Sequence, residues 1–154
     1  RIDPKRFMTF SAPWQATFEC IGLGEPFTRT FTTLVDLAAM PDENLATFGG
    51  TAVYRTEFDI PTAKYSVLDL GKVHDISEVT LNGRPLGLRW WGRHRYDAGE
   101  LLKKGRNVLE VKVTTTPFNY CQSLADNPTA TRWTRGKGPV STGLVGPVRL
   151  YQSE

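Results

Sequence analysis

The stretch that decides the fold is EVTLNGRPLGLRW, which runs from Glu78 to Trp90. Its centre is Asn82-Gly83, a residue pair that strongly favours the two left-handed positions of a tight β-hairpin turn. Segments with the apolar content of strands flank this turn, Glu78–Leu81 on one side and Pro85–Trp90 on the other. We therefore predict an antiparallel hairpin at this point of the chain.

The same arrangement of short strands and glycine or proline turns continues on both sides of the hairpin. Apolar and polar side chains alternate in WQATFEC (Trp14–Cys20), AVYRTEF (Ala52–Phe58) and NVLEVKVT (Asn107–Thr114), as expected for strands with one buried face. Further strands are predicted over residues 27–33, 65–70 and 148–151.

Helical character is confined to two stretches. Residues 34–48 contain Pro41-Asp42-Glu43, which favours a helix start, and residues 97–103 predict a single turn. The expected fold is therefore all-β. We predict an antiparallel β-sandwich of jelly-roll topology, formed by residues 1–154 as a single domain.

Composition narrows the class of protein. The chain has 154 residues, of which 40% are hydrophobic and 23% charged, as in ordinary globular domains. No apolar run reaches the roughly 20 residues of a membrane helix, so no membrane partner is predicted. The net charge is +3 and the pI about 9.0, which permits an anionic partner without requiring one. Because the 19 basic residues are nearly balanced by 16 acidic ones, a nucleic-acid partner is not predicted and stays a remote alternative.

The clearest candidate site is WWGRHRYD, residues 90–97, which joins aromatic and cationic side chains. Indole and phenol rings stack on the apolar faces of sugars, and arginine donates to hydroxyl or carboxylate groups. Successive residues of a strand point to opposite faces, so we expect at least one of the two tryptophans to be exposed or covered by a partner. A domain interface, a sugar contact and an ordinary core remain open. The candidate residues are Trp90, Trp91, Arg93, Arg95 and Tyr96.

A second candidate lies in residues 118–144, which carry little periodicity and are predicted to form a long loop. Within it, Asn119, Arg132 and Trp133 repeat the combination of polar, cationic and aromatic groups. Loops at the end of a sandwich often carry ligands, although a solvated loop with one anchoring tryptophan is an equal alternative.

No catalytic motif is found in the sequence. The two histidines, His74 and His94, lie outside any known nucleophile motif, and metal-ligand spacing is lacking. We predict no catalytic site and no cofactor, with a structural Ca²⁺ left open. Cys20 and Cys121 are either two free thiols or, if the fold brings them together, a disulfide.

Four segments, in this order, resemble a known family. They are FGGTAVYRTEFDIP (Phe48–Pro61), LDLGKVHDISEVTLNGRPLG (Leu68–Gly87), LKKGRNVLEVKVT (Leu102–Thr114) and GLVGPVRLY (Gly143–Tyr151). Together they are similar to the galactose-binding-like jelly-roll accessory domain of family 2 glycoside hydrolases and to the C-terminal domain of rhamnosidase-type enzymes of family 106. One departure is Tyr120, which stands where the rhamnosidase-type relatives have arginine.

The resemblance implies a non-catalytic, sugar-binding-like accessory domain. Its partners would be the catalytic domain of the same polypeptide and carbohydrate, and its location the periplasm or exterior of a bacterium. The chain begins with Arg1 rather than methionine, and we expect it to be a piece of a larger multidomain glycoside hydrolase. An independent carbohydrate-binding module is the alternative.

Overall fold

A computed structural model describes residues 2–20, 24–116, 123–124, 129 and 140–154. These residues include twelve β-strands, one short α-helix and one 3-10 turn, and Ser123 and Thr129 are also helical. The strands are β1 Ile2–Thr9, β2 Trp14–Cys20, β3 Phe27–Phe31, β4 Gly50–Ile60, β5 Tyr65–Asp69, β6 Lys72–His74, β7 Ile76–Leu81, β8 Arg84–Arg89, β9 Arg95–Asp97, β10 Gly105–Thr114, β11 Gly143–Gly146 and β12 Arg149–Ser153. The 3-10 turn is Leu37–Ala39 and the α-helix, α1, is Glu43–Ala46.

The strands form two main sheets. One has six strands in the order β3-β2-β4-β10-β7-β8, and the other has four in the order β1-β12-β5-β9. A small two-stranded sheet pairs β11 with β6. Every pairing within the described ranges is antiparallel. The prediction of an all-β antiparallel sandwich is confirmed.

One hydrophobic core joins the two sheets, and the alternation in the sequence explains it. In β2 the side chains of Trp14, Ala16 and Phe18 are buried, while their neighbours face solvent. Leu68 and Leu150 of the four-stranded sheet belong to the same buried cluster. Because strand side chains point alternately up and down, each sheet buries one face and leaves the other available for contacts.

The hairpin turn has the predicted geometry. Asn82 and Gly83 adopt φ angles of 52° and 80°. The Asn82 side chain also donates to the carbonyl oxygen of Leu101 at 2.8 Å and accepts from the backbone N–H of Val108 at 2.8 Å. It therefore joins the hairpin to the neighbouring strand as well as forming the turn.

Some element predictions are corrected by the structure. Strands β1, β6, β9 and β11 were not expected, and β8 ends at Arg89 instead of Trp90. Strand β11 begins at Gly143, inside the stretch 118–144 that was predicted to be a loop. The helix start near Asp42 is confirmed, since its carboxylate caps α1 by accepting from the N–H of Asn44 at 3.0 Å. The single turn predicted over 97–103 is confirmed, since the N–H groups of Leu101 and Leu102 both donate to the carbonyl oxygen of Ala98 at 3.1 Å. Cys20 is a half-buried free thiol, and Cys121 lies outside the described residues.

No helix in the described ranges has the length and apolar content needed to cross a membrane.

Two glycines with similar backbone angles allow a test of how closely the chain is packed at the end of β5. Gly71 and Gly83 have φ angles of 69° and 80°. A Cβ added at Gly71 would lie 2.5 Å from the carbonyl carbon of Gly146, whereas one added at Gly83 would meet nothing within 4 Å.

We expect Gly83→Ala to lower the free energy of unfolding by about 1–2 kcal/mol, the cost of a left-handed residue with a side chain. Gly71→Ala should cost about 4 kcal/mol or more, because steric overlap is added to the same backbone cost. Urea unfolding of both variants measures the difference. Equal losses would show that the contact between Gly71 and Gly146 is not close.

Candidate functional site

The apolar surface that most needs an explanation lies where the chain passes from one sheet to the other. Residues 90–94, here called the tryptophan loop, connect β8 of the six-stranded sheet to β9 of the four-stranded sheet. Trp90 is 71% exposed and Trp91 82%. Leu88, at the end of β8, is also exposed. Adjacent large apolar side chains left in solvent mark a contact surface.

Both tryptophans are exposed because β8 ends before them. The strand stops at Arg89, and Gly92 has a φ of 72°, so the chain is already turning between these two points. The expectation that at least one tryptophan is exposed is confirmed. The underlying picture of a regular strand that sends Trp90 and Trp91 to opposite faces is wrong.

The base of the loop is fixed by a buried polar cluster. Ser77 Oγ lies 2.7 Å from His94 Nδ1 and 2.7 Å from the Tyr96 hydroxyl. The Tyr96 hydroxyl also donates to the carbonyl oxygen of Ser77 at 2.8 Å. In addition, the carbonyl oxygen of His94 accepts from the N–H of Leu70 at 3.0 Å. Because all these groups are buried, their hydrogen bonds hold the loop base in a single arrangement.

Two arginines make contacts within the base of the loop. Arg89 Nε donates to the carbonyl oxygen of Arg95 at 3.1 Å, and its guanidinium lies 4.7 Å from the centroid of the Tyr96 ring. Arg95 Nε donates to Asp69 Oδ2 at 2.8 Å. Arg93, by contrast, is exposed. The loop therefore presents two indole rings and one guanidinium to solvent.

The electrostatics of the base favour a neutral imidazole. Burial lowers the pKa of His94, and the nearby charges of His74 and Arg89 lower it further, against the opposing effect of Asp69 and Asp75. Burial likewise raises the pKa of the Tyr96 hydroxyl. Both groups are thus held in their uncharged forms at the bottom of the loop.

One sequence candidate is placed differently by the structure. Tyr96 is 1% exposed and belongs to the core, so its ring is not available to stack on a sugar. It faces inward together with His94 and Ala98, the residues two positions away on either side. That period of two, with Ala98 as an apolar member, was the feature of the sequence that could have identified it. Leu88 and Ser77, which complete the site, carry no distinctive motif.

The second group of candidates, Asn119, Arg132 and Trp133, lies outside the described residues. The residues that flank this part of the chain can be placed. Thr114 is paired with Ile76, and Arg89 with Ser77, so the end of β10 and the start of the tryptophan loop lie at the same end of the sandwich.

The backbone beyond β10 is tied to this end. The N–H of Thr116 donates to Asp75 Oδ2 at 3.1 Å, and on the return side β11 pairs with β6 beside His74. The fold thus brings the chain on both sides of the second candidate segment to the end of the sandwich that carries the tryptophan loop.

A metal site has no support in the part of the chain that the structure describes, where no group of three or more His, Cys, Asp or Glu side chains could hold an ion. The prediction of no cofactor is untested, and a structural Ca²⁺ stays an open alternative.

Comparison with known proteins identifies the class. Residues 31–149 match the family described as "Glycosyl hydrolase 2 galactose-binding domain-like". The match covers most of the chain, and the chain belongs to this family. The resemblance stated from the sequence is confirmed.

Particular relatives are larger than this chain. A candidate beta-glucuronidase of Formosa agariphila is 39% identical over 156 residues, which cover 78% of this chain and 13% of that protein. The rhamnosidase from Novosphingobium sp. PP1Y superposes with a TM-score of 0.85 at 27% identity, over 99% of this chain and 16% of that one. The beta-glucuronidase of Faecalibacterium prausnitzii has a TM-score of 0.66 at 17% identity, over 99% and 32% of the two chains, and shows the fold alone. The chain therefore spans a small part of the relatives it matches.

Variants of Trp91, which is exposed, and of Tyr96, which is buried in the base, test the different roles of these two aromatic residues. We expect Trp91→Ala to change the free energy of unfolding by about 0.5 kcal/mol or less, because the ring makes little contact with the domain. Tyr96→Ala should lower it by about 3–5 kcal/mol, as for other large-to-small core changes. Thermal or urea unfolding measures both. A large loss in Trp91→Ala would mean that the indole packs on the domain itself.

The neutral state of His94 predicts a pH dependence of stability. Its pKa is lower in the folded chain than the value of about 6.5 of an unfolded histidine. As pH falls below that value the unfolded chain takes up a proton that the folded chain resists, so stability falls. We expect His94→Asn to reduce this acid loss between pH 8 and pH 5 and Trp91→Ala to retain it. The same pH dependence in wild type and His94→Asn would contradict the assignment.

Proposed function

We propose that this chain is a non-catalytic accessory domain of a larger glycoside hydrolase, and that the tryptophan loop packs against the catalytic domain of the same polypeptide. The observation that carries the proposal is the exposure of Trp90 and Trp91 on a loop whose base is buried and hydrogen-bonded. The small share of its relatives that the chain spans, 13% of one and 16% of another, supports a place within a longer polypeptide.

The energetics favour a protein partner for this loop. Burying one large apolar side chain gains about 1.5–3 kcal/mol, so two indole rings leave a considerable gain unused in the isolated domain. The base is already ordered, so the loop would lose little conformational entropy when a partner binds it. An exposed aromatic pair on a fixed base is the kind of feature that forms the centre of an interface.

The carboxylates at this part of the fold support a non-catalytic role. Asp36 accepts from the N–H groups of Ala38 and Thr142, both at 3.0 Å. Asp69 accepts from the N–H of Gly71 and from Arg95. Such carboxylates cap turns and hold neighbouring strands together. We place the hydrolytic reaction in another part of the polypeptide, and we propose a periplasmic or extracellular location for the whole.

Direct contact with glycan is the second candidate, because Trp90, Trp91 and exposed Arg93 combine a stacking surface with a hydrogen-bond donor. The chain on its own distinguishes the two functions. Titrate it with neutral and uronic-acid oligosaccharides while tryptophan fluorescence is recorded. We expect no saturable change, whereas saturable binding that Trp91→Ala removes would favour a carbohydrate-binding module.

The interface itself is tested in the full-length polypeptide encoded by the parent reading frame. We expect the double variant Trp90→Ala/Trp91→Ala to lower the thermal midpoint of the catalytic domain and its activity after heating, while the isolated chain unfolds as wild type does. The control Trp90→Phe/Trp91→Phe should restore most of the loss, because it keeps an aromatic surface. A parent enzyme unaffected by the alanine variant, or a reading frame with no catalytic domain, would overturn the proposal.

A further inference from the structure

The outer face of the four-stranded sheet carries a second aromatic and cationic surface. Phe7 of β1 is 41% exposed, and its ring centroid lies 5.4 Å from that of Tyr151 in β12. These two residues are opposite one another in the β1–β12 register. Leu150, the neighbour of Tyr151, points into the core, so Tyr151 and Phe7 lie on the face turned away from it.

An arginine side chain stacks on this surface. The guanidinium carbon of Arg149 lies 4.7 Å from the centroid of the Phe7 ring, a cation–π distance. Within the described part of the chain its Nε is buried and has no hydrogen-bond partner. The side chain is therefore positioned by stacking, and its Nε lacks the acceptor that a buried donor normally has.

The carboxylate opposite Arg149 in the sheet is already occupied. Asp69 is the residue opposite Arg149 in the β12–β5 register. Its Oδ1 accepts from the N–H of Gly71 at 2.8 Å, and its Oδ2 from Arg95 at 2.8 Å. The row formed by Arg149, Asp69 and Arg95 thus holds two cations and one anion, and the unbalanced cation is Arg149.

We infer that this outer face, centred on Arg149 stacked on Phe7, is a docking surface that receives a carboxylate-bearing segment of another domain of the parent polypeptide. Charge complementarity selects the occupant, since an aspartate or glutamate would balance Arg149 while its surroundings cover Phe7 and Tyr151.

The position of the face supports a partner within the same polypeptide. The row ends in β9 at Arg95, and β9 follows directly after the tryptophan loop. One neighbouring domain can therefore cover both surfaces. The inference rests on the proposed function in requiring a parent polypeptide, but it concerns a different face with its own residues.

Hydroxyl-radical footprinting reads both surfaces in one experiment. The isolated chain and the full-length parent are exposed to the same radical dose, and oxidation of Phe7, Tyr151, Trp90 and Trp91 is measured by mass spectrometry. Phe27, half-buried in β3 of the other sheet, is the internal reference. We expect several-fold less oxidation of Phe7 and Tyr151 in the parent, relative to Phe27.

The two proposals then fail separately. Protection of the tryptophans without protection of Phe7 and Tyr151 would overturn this inference and leave the proposed function intact. The reverse would overturn the role of the tryptophan loop alone. Protection of Phe7 that develops in the isolated chain as its concentration rises would show that a second copy is the occupant, and the inference would be wrong.

Two charge-removing variants test whether the docked segment supplies a carboxylate. Arg149→Met in the parent keeps an apolar side chain of similar length, and we expect oxidation of Phe7 and Tyr151 to return towards the level of the isolated chain. Lys112→Met, at an exposed position of β10 in the other sheet, is the matched control and should change neither. Full protection in Arg149→Met would show that the surface binds through apolar contact and that no acidic group is required.

Discussion

The passage of the chain from β8 to β9 is the constraint on which the exposed aromatic surface depends. It takes the chain from the six-stranded sheet to the four-stranded sheet within residues 90–94, and Ser77 holds its return by contacts with His94 and Tyr96. Were this cluster loose, the indole rings would collapse onto the nearest apolar surface of the domain. Because it is buried and hydrogen-bonded, the crossing is fixed and the rings stay in solvent.

This arrangement separates the aromatic-cationic stretch into two physical roles. His94, Arg95 and Tyr96 form the base, together with Arg89, while Trp90, Trp91 and Arg93 form the exposed tip. The base keeps its own charges in internal contacts, so the tip is chiefly apolar. A surface of that kind suits a partner that removes the rings from water, and the nearby ends of β10 and β11 widen the area such a partner could cover.

The sequence was most informative where local pattern and tertiary environment agree. Strand β2 was predicted with its observed bounds, and the turn at Asn82-Gly83 with its left-handed geometry, because alternation and turn chemistry act over a few residues. Strands β6, β9 and β11 were missed since each has three or four residues and exists only through pairing with distant parts of the chain, such as Gly143 with His74. Strand β1 was missed because IDPKRFMT carries a proline and several charges and has little alternation.

The candidate site was predicted in location but not in orientation. The assumption of a continuous strand through Trp91 gave each indole its own face, whereas the left-handed turn at Gly92 exposes both. Tyr96 was assigned to the surface because its ring is suited to sugars, although its neighbours at intervals of two are buried. Whether an aromatic residue stacks on a ligand or fills a core depends on tertiary contacts that one sequence does not specify.

An experimental structure of the full-length parent polypeptide would show directly whether the tryptophan loop is a domain interface. We expect side chains of another domain to lie against both Trp90 and Trp91, within van der Waals contact, while the Ser77–His94–Tyr96 cluster is unchanged. A structure in which both indole rings remain open to solvent, or fold back onto their own sandwich, would contradict it.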